Sequence, residues 1–267
     1  MEIQIKKAIK AGNSSAVILP KSWLNKEVRI ELIKKTSDII LDDTLDILKK
    51  HIDTKEIIGV YLTGSYARGE EDNSSDIDIL VITKNTDKEM ISEGIYNIII
   101  ISSELLKQKL KNNLFPVGQM IVEAKPLLNS YYLDSIETKV TKNNIKWYID
   151  TTEEKLKLIK KILNKINKKK RVCVDDKVVY TLVLRIRTLH IIKKLIEKKA
   201  YSKREFIRII KNVSHGKDAY RIYLSVKNNA KKENNLNLEE TIKLYEYLRN
   251  QLTEVKQLIK NIDKTPQ

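Results

Sequence analysis

Apolar and polar positions follow three regimes along the chain. Over residues 1–35 the apolar stretches are short and read as strands: Ile3-Gln4-Ile5, the run Ala16-Val17-Ile18-Leu19 closed by Pro20, and Val28-Arg29-Ile30-Glu31-Leu32 with a period of two. Gly12-Asn13-Ser14-Ser15 supplies a turn between the first two. From Thr36 the pattern changes. Thr36 or Ser37 can cap a helix reaching about residue 50, with Ile39, Ile40, Leu45 and Leu48 as its buried stripe. Continuous apolar runs over residues 57–62, 77–82 and 95–101 then predict buried strands, and Ser102 or Ser103 can cap a helix ending near residue 112. After Tyr132 the pattern is helical to the end. Residues 134–169 fit one long helix or two broken ones, followed by helices over 175–199, 202–212, 217–228 and 238–262. In the first of these four, Val179, Leu182, Ile186, Leu189 and Ile192 share one face. No repeat of fixed period is present.

These regimes predict an α+β protein of three parts. Residues 1–35 form a small β segment, 36–133 an α/β core with a mixed sheet, and 134–267 an all-α helical domain. The first part is too short to bury a core alone and is expected to pair with a second copy of itself.

Composition changes this picture little. Of 267 residues, 42% are hydrophobic and 32% charged, and seven glycines and four prolines interrupt the chain, which suits a globular, helix-rich protein. No apolar run reaches the ~18 residues of a membrane span, the first residues hold no signal-peptide core, and the single cysteine, Cys173, excludes an internal disulfide framework. A cytoplasmic protein is the expectation. Heavy use of lysine, isoleucine and glutamate is a bias reported for proteins from hot environments and hints at a thermophilic, archaeal source.

Charge changes the picture more. The formal net charge is +16, and it is unevenly spread: roughly +5 over residues 1–35, roughly −7 over 36–135 and roughly +18 over 136–267. A basic head and a larger basic tail flank an acidic middle. Such a tail suits a polyanionic partner such as RNA or DNA, or a lysine-rich solvated surface. Lys168-Lys169-Lys170-Arg171 is its densest basic run, at an expected helix–helix turn.

The acidic middle carries the chemistry. Gly64 closes an apolar strand and permits close backbone approach to a ligand. Ser65 opens the next turn, where free amides and the helix dipole favour a phosphate. Asp76 and Asp78, two apart on a strand, project from one face, while Ile77, Ile79 and Val81 point the other way to pack on a helix. Paired carboxylates repel unless a cation bridges them. Mg²⁺ is the expected cation, since it combines carboxylates with substrate phosphates, and paired ions can clamp the attacking and leaving oxygens of a phosphoryl displacement.

At these residues the sequence resembles the DNA polymerase β-like nucleotidyltransferases, and more narrowly the minimal prokaryotic ones. The match is an apolar strand, Gly64-Ser65, a spacer from Tyr66 to Ser75 that includes Arg68-Gly69, then Asp76-Ile77-Asp78 in a second apolar strand. It covers about residues 36–130. The resemblance implies Mg²⁺ or Mn²⁺ held by Asp76 and Asp78, an NTP (ATP expected) cradled by Gly64 and Ser65, and a phosphate contact from Arg68. It implies transfer of a nucleoside monophosphate to a hydroxyl acceptor in RNA, protein or a small molecule. Helical domains that follow this core complete the substrate cleft in aminoglycoside-modifying relatives. One feature departs from the family: the third carboxylate on a later strand is missing. Asn97 stands where it is expected, and Glu93, Glu104 and Glu123 do not clearly fit. A DNA-binding regulator or antitoxin-like protein with a weak or inactive core is the alternative.

Two further resemblances are shorter. Lys10 to Ile30, with its Gly-Asn-Ser turn and Pro20-Lys21, resembles the AbrB/SpoVT swapped-hairpin family, which implies a homodimer and DNA contacts through Lys6, Lys7, Lys10 and Lys21. Arg185 and His190 have the Arg-x4-His spacing of HEPN-type ribonucleases, but they sit within an ordinary core stripe and lie far apart around a helix. Cys173 reads as a small buried residue, and Tyr220, Tyr223 and Trp147 as core or cleft-lining.

Overall fold

The computed structural model describes residues 6, 8–30, 35–72, 75–168, 173–230 and 236–262. The expected strand Ile3-Gln4-Ile5, Lys7 and the basic run beyond Lys168 lie outside them. Two compact units divide the chain, residues 1–36 and 37–267. In the first, β1 (Ile9–Ala11) and β2 (Ser14–Ala16) form an antiparallel hairpin. It turns through Gly12, whose φ of +62° is open to a residue without a Cβ. Two expectations fail here. The apolar run from Ala16 to Leu19 leaves the ladder after Ala16, and Val28 to Ile30 form no strand. A strand needs a partner for its row of backbone donors and acceptors. Within the described part of this unit none is offered, and Ile18 and Ile30 stay 69% and 68% exposed.

The second unit begins with α1 (Ser37–Leu48), which buries Ile40, Thr44, Ile47 and Leu48. Ile39 and Leu45, expected in the stripe, are only half-buried. Thr44 takes a core position because its hydroxyl donates to the Ile40 carbonyl at 2.6 Å, so no polar group is left unpaired. The sheet and its helices follow in the order β3 (Ile57–Thr63), α2 (Gly64–Arg68), β4 (Ile77–Thr83), β5 (Lys88–Glu93), β6 (Tyr96–Ser102), α3 (Ser103–Asn112), α4 (Val117–Glu123), β7 (Lys125–Leu128) and α5 (Ser130–Asp134). Ser102 caps α3 by accepting from the Leu105 amide.

The spatial strand order is β5-β6-β4-β3-β7, with β4 and β6 parallel and every other pair antiparallel. This is the mixed sheet expected. Alternation along β4 sorts its side chains. Ile77, Ile79 and Val81 pack with α1 on one face, while Leu80 and Ile82 pack with Leu106 of α3 and Val117 and Ile121 of α4 on the other. Asp78 falls on the second face, the one that α4 covers. Both edge strands, β5 and β7, are polar or proline-containing, so no apolar run marks them in the sequence.

The tail comprises α6 (Lys142–Lys168), β8 (Cys173–Val174), α7 (Asp176–Ile196), α8 (Lys203–Ser214), α9 (Asp218–Lys227), β9 (Leu236–Asn237) and α10 (Leu238–Ile262). All five residues expected on the shared face of α7 are buried. This helix packs on α6, α8, α9 and α10, so it organises the tail core. Among the described residues no helix is long and apolar enough to cross a membrane. Leu182→Ala, at a fully buried α7 position, is expected to cost about 2–5 kcal/mol in urea unfolding. A loss below about 0.5 kcal/mol, the range of surface substitutions, would show that α7 is not the core helix.

Candidate active site

The site starts from one backbone conformation. β3 runs into Gly64, whose φ is +66°. A Cβ built there would meet Asp78 Oδ2 at 2.1 Å, so only glycine lets that carboxylate rest against the main chain. Register fixes Asp78 on both sides: Thr63 is its neighbour on β3 and Asn97 its neighbour on β6. The Thr63 hydroxyl donates to the Asp78 carbonyl at 3.1 Å. The strand begins at Ile77, so Asp76 precedes it and is exposed, rather than lying within it as expected.

One amide at the entrance to this turn is already taken. The Gly64 N–H donates to Glu123 Oε1 at 2.9 Å. Glu123 arrives from the end of α4, is buried, and accepts through its other oxygen from Arg68 Nη1 at 2.6 Å. Arg68 Nε donates to Glu70 Oε2 at 3.0 Å. Arg68, predicted as a phosphate contact, is thus already committed to two carboxylates, with the Tyr201 ring 5.5 Å from its guanidinium carbon. Burial opposes its charge, but Glu123 and Glu70 outweigh burial and raise its pKa.

Glu70 carries the network into the tail. Its carboxylate accepts from the Ser202 hydroxyl at 2.7 Å and the Lys203 amide at 2.9 Å. Ser202 caps α8, so an anion sits at the N-terminus of that helix, where the dipole favours it. Burial pushes the Glu70 carboxyl up, yet the Lys203 amide, the Ser202 hydroxyl and Arg68 together bring it down to about 2.

Asp78 is pulled the other way. Burial raises its pKa, and the charges of Asp76 and Glu123 raise it further, against the side-chain hydrogen bond from Asn97. The orientation of Asn97 follows from its second partner. Its Oδ1 accepts from the Ser92 hydroxyl at 2.9 Å, which leaves the amide NH₂ for Asp78. A neutral donor therefore occupies the strand position beside Asp78. Among the described residues no group of three or more His, Cys, Asp or Glu is placed to hold a metal ion.

Gly64, Ser65, Arg68, Asp78, Asn97 and Glu123 form the floor of a cleft of about 380 Å³. Its other wall comes from the tail: Arg187 on α7, Tyr201, Lys203 and Phe206 at α8, and Tyr220, Tyr223 and Lys227 on α9. Arg187 is half-buried among phenols. Burial opposes its charge, and Tyr201 and Tyr223 outweigh it and raise its pKa. Burial holds Tyr220 up at about 12, so its phenol stays protonated. An acidic floor thus faces a basic and aromatic wall. Glu123, set aside in the sequence, is the residue that reasoning missed. Its signal was the i,i+4 pair Gln119 and Glu123 on a short helix with Val117, Gly118 and Ile121 buried.

The remaining candidates fall elsewhere. Lys6 and Lys21 are exposed on the first unit, Lys10 lies on β1, and Lys7 is outside the described residues. His190 is buried against Tyr201 and Phe206, while Arg185 bonds Thr151 on α6, so the two do not meet. Cys173, expected to be buried, is exposed. Tyr220 and Tyr223 line the cleft, and Trp147 is an exposed residue outside it.

Two tests follow from the floor. A Glu70 carboxyl lowered to about 2 contributes stability that is present above its ordinary value of 4.5 and lost as pH falls toward 2. Glu70→Gln should cost about 3 kcal/mol at neutral pH. The gap from the parent protein should narrow as pH falls below 4.5 and close only near pH 2, and a pH-independent gap in denaturant melts would rule out the ionic role. Gly64→Ala should displace Asp78, since its Cβ has no room and its φ is strained. The measurement is stability in denaturant melts, expected to fall by about 1–3 kcal/mol from local strain, and an unchanged midpoint would show that position 64 tolerates a side chain.

The sequence profile described as Nucleotidyltransferase domain matches residues 41–207. No curated protein matches at a significant level. Among solved structures, spectinomycin adenyltransferase AAD(9) from Enterococcus faecialis, with ATP and spectinomycin, is similar over 80% of this chain and 98% of that one, at 15% identity and a TM-score of 0.42. A nucleotidyltransferase-like protein from Exiguobacterium sibiricum 255-15 is similar over 83% of this chain and 77% of that one, at 13% identity and a TM-score of 0.32. The family profile spans more than half of the chain and takes in Gly64, Arg68, Asp78 and Glu123, and on that match the chain belongs to the nucleotidyltransferase domain family.

Proposed function

We propose that the chain transfers a nucleoside monophosphate from an NTP, with ATP the expected donor, to a hydroxyl acceptor. The acceptor oxygen bonds to the α-phosphorus, the bond to the leaving pyrophosphate breaks, and the acceptor hydroxyl gives up its proton. One observation carries this reading: Asp78, burdened by burial and by the charges of Asp76 and Glu123, sits beside the Gly64-Ser65 turn and faces a basic wall across a cleft.

The residues fit a divalent cation. Asp76 and Asp78 would hold Mg²⁺ or Mn²⁺, and a site of one or two carboxylates completed by water and substrate phosphates is the ordinary arrangement for Mg²⁺. When bound, the ion would neutralise charge on the phosphoryl oxygens. The chain's own groups do the rest. Arg187, Lys203 and Lys227 supply donors and positive charge for a triphosphate, and the ring faces of Tyr220 and Tyr223 suit a base. Arg68 and Glu123 keep the turn rigid, so catalysis is mostly positioning. Residues 36–133 would hold the donor and 134–267 would close over it.

A second reading has one observation in its favour. Asn97, a neutral amide, stands beside Asp78 on β6 where the resemblance implies a third carboxylate, which suits a core that binds nucleotide without turnover. The head, as a homodimer through residues 1–35, would then bind DNA through Lys6, Lys7, Lys10 and Lys21. A gel-shift titration at several salt concentrations checks this, and no binding at the lowest salt removes it.

Transfer is tested with labelled NTPs, Mg²⁺ or Mn²⁺ and total cell extract. Asp76→Ala and Asp78→Asn should each lower labelling on the order of 10²–10³-fold or more while the circular dichroism spectrum is kept. An unchanged rate in either would sink the transferase reading. Because the Asp78 carboxyl of the metal-free protein is raised, protons should compete with Mg²⁺ binding at a pH above the ordinary carboxylate value of 3.8.

A further inference from the structure

A charged group that the cleft does not use lies between α6 and α7. Arg185 Nη1 donates to Thr151 Oγ1 at 3.0 Å. Thr151 spends its own proton on the Trp147 carbonyl at 2.7 Å, so its hydroxyl is fixed as the acceptor. The guanidinium carbon lies 5.8 Å from the centre of the Trp147 ring, and Trp147 is 62% exposed. Little else compensates the charge. Arg185 Nε is buried with no hydrogen-bond partner. Burial lowers the Arg185 pKa, and Tyr148 is the one group that acts against it.

Arg68 shows how this fold treats a structural arginine, by giving it two carboxylates. Arg185 has five donors and one described acceptor. Nε is closed to an external ligand, but the terminal Nη2 is not among the buried unpaired atoms, and an oxyanion there would give a half-buried guanidinium the counter-charge that its described surroundings lack. Its planar fork matches a phosphate through two parallel hydrogen bonds. The exposed indole next to it offers a flat apolar face of the kind on which unpaired bases stack. The tail around them carries roughly +18, which draws in polyanions over longer range.

We propose that Arg185 and Trp147 form a docking point for one nucleotide of a single-stranded nucleic acid, with the phosphate on the guanidinium and the base on the indole. Neither residue lines the cleft, so the site stands whether or not the cleft transfers nucleotides.

The chain has two tryptophans, so Trp23→Phe leaves Trp147 as the sole indole reporter in the full-length protein. A short single-stranded oligonucleotide with a 5′-hydroxyl, titrated in chelator and low salt, should quench Trp147 emission. Arg185→Met should weaken binding about ten-fold and reduce the salt slope by about 0.7, the loss of one single-strand phosphate contact. Arg185→Lys, which keeps the charge and guards against misfolding, should fall between. Trp147→Ala, at an exposed position, should weaken a labelled oligonucleotide about ten-fold by anisotropy. Emission unmoved by the oligonucleotide, or equal affinity in Arg185→Met, would overturn the proposal. So would inorganic phosphate quenching as strongly as the oligonucleotide, since that marks a bare anion pocket with no base on the indole.

Discussion

Arg68 carries a charge that the fold cannot titrate away, because a guanidinium stays protonated through the whole range in which proteins are stable. Once buried, it obliges carboxylates to come to it. Glu123 arrives from α4 and Glu70 from the loop after α2, and each has a second duty. Glu123 takes the Gly64 amide, so α4 is held against the turn that supports Asp78. Glu70 takes the Ser202 hydroxyl and the Lys203 amide, so the start of α8 is tied to the loop after α2. Removing one partner of a buried pair of this kind costs about 3–5 kcal/mol. That is comparable to the net stability of many domains. The acidic floor and the tail wall of the cleft are therefore coupled through one side chain.

Asp78 is where this order is least comfortable. It is pressed against Gly64, half-buried, and beside two other carboxylates. Asn97 relieves part of the repulsion by donating to it, and Ser92 keeps Asn97 turned the right way. A carboxylate at position 97 would have worsened the repulsion in the empty site. The chain thus trades one acidic group for a neutral donor. The result is a floor in which Asp78 keeps one neutral donor on β6 against the charges of Asp76 and Glu123.

The parts of this arrangement that were legible in the sequence are those governed by local periodicity. The apolar runs of β3, β4 and β6 and the stripe of α7 are read directly, because burial on both faces or along one stripe leaves a pattern. Helix α10 occupies the residues 238–262 that its period marks. Asp78 and Gly64 were legible because a strand-end glycine and an alternating carboxylate have few other uses. What stayed hidden depends on contacts distant in sequence. Thr44 looks polar until its hydroxyl finds the Ile40 carbonyl. Edge strands β5 and β7 lack an apolar run because one side of each has no neighbour. Glu123 could not be matched to Gly64 across 59 positions, nor Glu70 to Ser202 across 132. In the head, periodicity misled, since a period of two is necessary for a strand but a partner is also required.

The basic tail shows why net charge is a poor guide to function and pairing a better one. Several of its cations are accounted for by carboxylates: Lys194 by Glu205, Lys193 by Glu254, Lys243 by Glu239 and Lys256 by Glu153. The exposed ones among them, such as Lys243 with Glu239, contribute ~0–1 kcal/mol each and mark a solvated surface. Arg185 and Arg187 differ. Both are withdrawn from water on the central helix of the tail, and their described partners are hydroxyls and aromatic rings rather than carboxylates. Two positions apart on a helix, they point about 200° apart, one toward the cleft and one toward α6. A core helix is a stiff place to mount a charge, so both hold their positions with no carboxylate partner among the described residues. Pairing rather than net charge therefore separates these two cations from the solvated lysines around them.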